Sequence, residues 1–245
     1  LKLISVFIGV NSWLKGFVLF IRPGLFLSFL SQPCLFISNL IQLSRWICKH
    51  NRKDILNDFY LPIRNYANRY KLYENILDRE KLREAPITYL EFGVCGGYSF
   101  RWWVDGNKNE KSRFYGFDTF EGLPESWGTF KKGEMTANMP KIDGLRHGFV
   151  QGLFQDTLND FLKEHDISQN RLILHLDADL FSSTLFVLTS LAPYLKEGDI
   201  MLFDEFNVPN HEFYAFNTFV KSFYIKYELI AAVNNFYQVA IKISK

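Results

Sequence analysis

Two patterns of apolar residues divide this chain. From about residue 86 onward, short apolar runs of strand length alternate with stretches of helical period. That alternation predicts a parallel sheet covered by helices on both faces. The strand-like runs are 87–93, 113–118, 147–153, 171–177 and 199–204, and helices are expected over about 98–104, 157–164, 182–195 and 211–224. The end differs in kind: 227–233, then Asn234-Asn235, then 236–244 predicts a hairpin with a tight turn. The expected fold class is α/β, a Rossmann-like doubly wound sheet of seven strands with an antiparallel last strand, preceded by N-terminal helices.

Upstream of residue 86 the pattern is less regular. In residues 1–50 the apolar runs 3–10, 17–21, 25–30 and 34–41 are broken by Asn11-Ser12, Arg22-Pro23-Gly24 and Ser31-Gln32-Pro33. None reaches the roughly 18 apolar residues that a spanning helix needs, and Lys15 interrupts the best window. Three readings stay open. The segment forms short helices in a membrane interface, with Trp13, Trp46 and basic residues at the headgroups. Alternatively it packs on the rest of the chain or on a second subunit, or it is a residual targeting or spanning segment. Between 52 and 84, Ile55, Phe59, Leu61, Ile63, Tyr66, Tyr70, Tyr73, Ile76 and Leu77 recur at helical spacing, with Pro62 as a breaker. One or two amphipathic helices are expected there, which gives segments 1–50, 51–85 and 86–245.

Charge sharpens that division. Residues 1–50 carry five basic side chains and no acid, leaving 23 basic against 26 acidic side chains in the remainder. A mildly acidic body argues against a nucleic-acid partner. Three scattered cysteines give neither a disulfide framework nor a zinc site. A reducing, cytoplasmic setting follows, at the membrane surface if residues 1–50 make peripheral contact there; a homo-oligomer is the other expected use of that segment.

The chemistry concentrates at the ends of the strand-like runs. Ile87-Thr-Tyr-Leu-Glu-Phe-Gly-Val-Cys-Gly-Gly97 is a strand followed by a turn with Gly93, Gly96 and Gly97, and Arg113-Phe-Tyr-Gly-Phe-Asp118 places a second acid just over 20 residues later. Glycines let backbone approach a ligand, and an acid after the second strand takes ribose hydroxyls, which is how such units hold an adenosine-bearing cofactor. Glu91 precedes the first glycine, where a cation is welcomed and a pyrophosphate repelled. The sulfonium of S-adenosylmethionine fits that placement better than NAD. The terminal hairpin agrees, because class I methyltransferases close their sheet with an antiparallel strand whereas the usual NAD fold stays parallel. Adenine is expected against Phe154-Gln155-Asp156 after the third strand, with Phe154 as a core residue the competing reading.

Four strands deliver acids to one sheet edge: Glu91, Asp118, Asp177 with Asp179, and Asp204 with Glu205. That much negative charge needs compensation. Asp177, Asp204 and Glu205 suit a hard divalent ion such as Mg²⁺; the competing reading is that some of these acids cap helices. Asp177 or Asp179 is the candidate base that takes a proton from an acceptor hydroxyl. His175, mid-strand, reads as a buried, hydrogen-bonded histidine. The long segment 120–146 reads as a lid or a surface loop, and Trp102-Trp103 as packing.

Leu90-Glu-Phe-Gly-Val-Cys-Gly-Gly97, Gly116-Phe-Asp-Thr-Phe-Glu-Gly-Leu-Pro-Glu125, Gly152-Leu-Phe-Gln-Asp-Thr-Leu158, His175-Leu-Asp-Ala-Asp-Leu180 and Leu202-Phe-Asp-Glu-Phe206 together resemble the macrocin O-methyltransferase family. The resemblance covers about residues 66–244. It implies a class I S-adenosylmethionine-dependent, Mg²⁺-dependent O-methyltransferase acting on a sugar hydroxyl of a small molecule or glycan. The family's metal-binding acids fall on Asp177 or Asp179, then on Asp204 and Glu205. The family's usual tandem aspartates stand here as Asp204-Glu205, and the hydrophobic segment 1–50 is foreign to the pattern. The rival expectations are an NAD(P)-dependent oxidoreductase and a non-catalytic, membrane-associated scaffold that keeps the fold.

Overall fold

The computed structural model describes residues 12–244, so the apolar run 3–10 lies outside the described residues. The strands are β1 (Leu56–Asn57), β2 (Ile87–Phe92), β3 (Arg113–Asp118), β4 (His147–Gln151), β5 (Arg171–Leu176), β6 (Ile200–Phe203), β7 (Lys226–Val233) and β8 (Gln238–Ser244). They form one sheet in the order β1-β7-β8-β6-β5-β2-β3-β4. Only β8 runs antiparallel to its neighbours, β6 and β7. The seven expected strands are present in a doubly wound arrangement closed by an antiparallel last strand. The eighth, β1, is two residues long and pairs parallel with β7 at the sheet edge.

The helices are α1 (Ser12–Ile21), α2 (Gly24–Leu27), α3 (Ser31–His50), α4 (Asn68–Arg79), α5 (Tyr98–Gly106), α6 (Phe154–Glu164), α7 (Phe181–Leu191) and α8 (Glu212–Ser222). Strand alternation sends side chains into two cores, as period-2 geometry demands. Leu90 and Phe92 of β2 join Phe117, Leu174, Phe203 and Phe216 on one face. Ile87 and Tyr89 join Leu72, Tyr73, Ile76 and Trp103 on the other, under α4 and α5. Trp103 is fully buried and Trp102 lies 5.3 Å from the Tyr73 ring, the packing role expected for this pair.

Three expectations need correction. Of the lead-in 51–85, only α4 is helical. Upstream of it the backbone bonds to the β7–β8 turn instead: Leu61 N–H donates to Asn235 Oδ1 at 2.7 Å, and Asn65 N–H to Asn234 Oδ1 at 3.0 Å. That turn is longer than a two-residue hairpin, since Asn234, Asn235 and Phe236 all take positive φ and β8 starts only at Gln238. Asp58 holds it by accepting the N–H groups of Asn234 and Asn235 at 2.9 and 3.2 Å.

The second correction concerns the break expected at Ser31-Gln32-Pro33. Helical turns run on from Gly24 to His50 with a short 3-10 step over Ser28–Leu30. Pro33 is tolerated because it sits in the first turn of α3, where a missing N–H breaks no intrahelical bond, and the Ser31 hydroxyl donates to Ser28 O at 2.7 Å. Gly24–His50, which contains an 18-residue window of mean hydropathy 1.5, is therefore long and apolar enough to cross a membrane by length and composition, which the separate runs were not.

The third concerns Trp46, expected at a headgroup layer. It is instead buried against the domain, its ring 4.8 Å from Phe206 and its indole N–H donating to the Tyr227 hydroxyl at 2.8 Å. Asn39, Leu43 and Trp46 form a buried stripe at helical spacing. The C-terminal half of α3 thus packs on the domain, one of the three readings left open.

Candidate active site

A cavity of about 340 Å³ opens at the carboxyl ends of the parallel strands. That edge is where open α/β sheets bind ligands, and the volume falls in the roughly 300–1,000 Å³ range of small-molecule sites. Gly93, Cys95, Asp118, Leu153, Phe154 and Gln155 line one part; Asp177, Asp179, Asp204 and Glu205 line another; Leu123, Trp127, Phe130 and Met135 lie over it. Segment 120–146 therefore contributes a cover, as the lid reading expects. Its Trp127 and Phe130 rings stack 5.6 Å apart, and their backbones exchange hydrogen bonds at 2.8 and 2.9 Å.

The glycine turn is tied to both neighbouring strands. Gly93 N–H donates to Phe117 O at 2.9 Å. A Cβ on Gly93 would fall 1.8 Å from Asp177 O, so nothing larger fits where β2 and β5 end side by side. Asp118 closes the turn: Oδ2 accepts Cys95 N–H and Oδ1 accepts Phe120 N–H, each at 2.7 Å. Gly97 has φ +73 and a Cβ there would meet Pro140, so its role is the entry to α5 beneath the cover. Gly96 and Gly97 do not line the cavity.

Glu91 does not line it either. The residue is fully buried; Ser99 Oγ donates to its Oε1 at 2.6 Å and the Tyr89 hydroxyl to its Oε2. The cause is strand parity. Glu91 shares a face with Ile87 and Tyr89, the face covered by α4 and α5, so its carboxyl group lies under the turn rather than in the ligand space. His175 is in the same layer, 1% exposed, with Nδ1 2.7 Å from the Tyr89 hydroxyl and Nε2 3.3 Å from that of Tyr73. The buried, hydrogen-bonded role expected of His175 matches this geometry.

Phe154 lines the cavity with its ring 5.3 Å from Phe92. It is not in a loop, however. α6 begins at Phe154, three residues earlier than expected, because the helix starts without a side-chain cap that would have marked its onset. Asp156 then lies exposed in the first turn of α6, off the cavity wall.

At the other end four acids converge. Asp177, Asp179 and Glu205 each bring a carboxylate oxygen within 4.8 Å of the others, as do Asp177 and Asp204 with a nitrogen of His175. Asp179 achieves this from a left-handed backbone (φ 58), a conformation Asp tolerates better than most residues. Burial, reinforced by Asp204, Glu205 and Asp179, pushes Asp177 well above the usual carboxyl range. Burial likewise pushes Asp179 up to about 6 and raises Asp204 and Glu205. Asp204 Oδ1 and Glu205 Oε2 are buried with no hydrogen-bond donor. Orphaned oxygens of this kind are costly without a cation or proton, so the donor set fits a hard divalent ion. None of the four caps a helix through its side chain.

Sequence reasoning passed over three members of this cluster. Arg69 of α4 reaches Asp204 Oδ2 through Nη2 at 2.6 Å. Tyr237 donates to Glu205 Oε1 at 2.9 Å. Glu212, fully buried at the start of α8, accepts Glu205 N–H at 2.9 Å and keeps Oε1 unpartnered. The one available signal was Arg69 beside Tyr70 and Tyr73, with Tyr66 just upstream, on a helix whose apolar face is buried.

Residues 90–206 match the family model described as a methyltransferase domain, a span holding all five quoted motifs. No curated protein sequence matches the chain. Among solved structures, the calicheamicin methyltransferase CalS11 superposes with a TM-score of 0.58 at 20% identity, covering 84% of this chain and 91% of its own. Its apo structure, described as a TDP-rhamnose 3'-O-methyltransferase, gives 0.50 at 19% identity over 84% and 93%. The O-methyltransferase NovP gives 0.51 at 19% identity over 73% and 78%. Residues 90–206 therefore constitute a methyltransferase domain, and the chain that carries it is an enzyme of the class I methyltransferase fold.

Proposed function

We propose that this enzyme transfers a methyl group from S-adenosylmethionine to a hydroxyl of a sugar or glycosylated small molecule, with Mg²⁺ held by Asp177, Asp204 and Glu205. The carrying observation is the polarity of the cavity: the glycine turn and Asp118 at one end, four converging carboxyl groups with orphaned oxygens at the other. One similar structure is described as a TDP-rhamnose 3'-O-methyltransferase and another as an O-methyltransferase, which supports a hydroxyl, and a sugar hydroxyl first, as the acceptor. S-adenosylmethionine supplies an electrophilic methyl carbon, and a divalent ion lowers the pKa of a hydroxyl it holds. The chain's own part is positioning and proton transfer. Gly93, Cys95 and Asp118 shape the end that takes the ribose and Phe154 flanks the adenine. Asp179 takes the acceptor's proton, Asp177 being the other carboxylate in reach. Arg69 and Tyr237 hold Asp204 and Glu205 in place.

Calorimetric titration with S-adenosylhomocysteine, in Mg²⁺ and in EDTA, tests the cofactor. Label transfer from S-adenosylmethionine to nucleotide sugars tests the acceptor. A folded protein that binds no S-adenosylhomocysteine would end this reading.

Linkage gives a second test. Carboxyl groups whose folded pKa values are raised hold protons that the unfolded chain has lost, so their contribution to stability falls as pH rises from about 4 towards those values. A cation that replaces the protons meets less competition at higher pH. Mg²⁺ at about a hundredfold excess over its dissociation constant adds about 2.7 kcal/mol. The Mg²⁺-induced rise in Tm should therefore be larger at about pH 8 than at about pH 5.5. An equal rise at both would place the ion elsewhere.

A further inference from the structure

Residues 17–41 present an apolar surface that nothing among the described residues covers. Leu19, Phe20, Leu25, Phe26 and Phe29 are each at least 70% exposed, and Phe36, Ile37, Leu40 and Ile41 continue the surface along α3. An exposed patch of this size marks an interaction site. Its position is fixed by α3, which is anchored on the domain at both ends of its buried stripe. Asn39 donates to Asn210 Oδ1 at 2.9 Å, just past the carboxyl end of β6. At the other end His50 stacks against Tyr227, near the start of β7. β7 and β6 run in the same direction, since each is antiparallel to β8. α3 therefore runs against the parallel strands, and its turns before Asn39 project from the sheet edge that holds the cavity. The link is short: His211, next to Asn210, packs edge-on against Trp127 of the cover with ring centroids 6.4 Å apart.

We propose that residues 17–41 insert into the interface of an anionic phospholipid bilayer and set the cavity mouth against the lipid surface. Charge selects this occupant. Lys15, Arg22, Arg45 and Lys49 flank the apolar surface, all exposed, and residues 1–50 hold no acid. A second copy of so uniformly basic a segment would repel the first, whereas anionic headgroups attract it. Insertion into one face of the bilayer, without crossing it, follows from Arg22 at the turn between α1 and α2 and from the buried stripe 39–46, which keeps the rest of α3 on the domain. The inference stands apart from the methyl-transfer reading, because it uses none of the cavity's chemistry.

The test is flotation of the full chain with vesicles of phosphatidylcholine alone and with phosphatidylglycerol added, beside a size measurement without vesicles. The expected result is flotation with the anionic vesicles. Phe20→Ser with Phe26→Ser and Phe29→Ser should reduce the floated fraction at least about tenfold, and Arg45→Glu with Lys49→Glu should weaken it on anionic vesicles only. These exposed changes leave the buried stripe intact, so folding is checked by an unchanged Tm. Failure of the folded chain to float on either vesicle overturns the proposal, and a dimer under the same conditions would assign the surface to a second copy. Flotation indifferent to the three Phe→Ser changes overturns it equally.

Discussion

Arg69→Met should cost about 3 kcal/mol of stability in metal-free buffer, the penalty for leaving a buried carboxylate without its partner. At a typical ~2–4 °C per kcal/mol for a chain of this size, that is a fall in Tm of about 6–12 °C. The reasoning rests on Asp204, whose side chain is 1% exposed, whose Oδ2 meets Arg69 Nη2 at 2.6 Å and whose Oδ1 has no donor. Methionine keeps the unbranched stem of the arginine as far as the Nε position, so the loss reports mainly the guanidinium charge. Asp204 already sits above the usual carboxyl range because burial outweighs the opposing pull of Arg69. Without Arg69 it climbs further, holding in the folded state a proton that the unfolded chain loses near pH 4; the destabilisation therefore grows as pH rises. Asp204→Asn in the same chain should recover more than half of the loss, giving a positive coupling in a double-mutant cycle. Mg²⁺ should raise Tm more in Arg69→Met than in the unaltered protein, because guanidinium and metal compete for one carboxylate. A Tm unchanged by Arg69→Met, or a loss identical at low and high pH, would mean that Asp204 is neutral in the folded protein.

That competition also explains what the sequence conceals about the site. The acids at the ends of β3, β5 and β6 are legible because a strand of known period ends where its apolar run ends, and the residue after it must lie on the ligand-binding edge. The direction in which an acid points within a strand buried on both faces is not legible. β2 is apolar at nearly every position and buried throughout, so no polar alternation betrays that Glu91 faces Ser99 and Tyr89. Arg69 was hidden for another reason. Its helix is separated from Asp204 by more than a hundred residues, and an arginine on an amphipathic helix is by default a solvated one. The start of α6 at Phe154 lacks a side-chain cap, and a strand as short as β1 has no period to detect. The hairpin, by contrast, was readable in outline from Asn234-Asn235. Its true length depends on Asp58, a residue distant in sequence that supplies the acceptors for the turn's N–H groups.

Asp118→Ala should lower the affinity for S-adenosylhomocysteine at least about a hundredfold, equivalent to about 2.7 kcal/mol. Two roles converge on this carboxyl group. It accepts the N–H groups of Cys95 and Phe120, both at 2.7 Å, and so joins the glycine turn to the first residues of the cover. Cys95 and Phe120 both take positive φ, at 48° and 56°, a conformation that neither side chain favours unless the surroundings impose it. Hydrogen bonds to a charged acceptor contribute about 1.5–3 kcal/mol each. Losing both frees the turn and the cover's first residues, in addition to any contact with ribose hydroxyls. Asp118→Asn separates the roles. Its amide oxygen can satisfy one of the two N–H groups, but its NH₂ must then face the other, donor against donor. Asparagine should therefore lose most of the affinity that alanine loses, even though a ribose hydroxyl could bond either end of an amide. Asp118 is half-buried at the cavity wall rather than in the core, so water replaces part of the lost bonding and both variants should stay folded, with a lowered Tm, while cofactor affinity collapses. Retention of affinity in Asp118→Asn alongside its loss in Asp118→Ala would reverse the assignment, leaving the ribose contact as the working role and the backbone clamp as incidental.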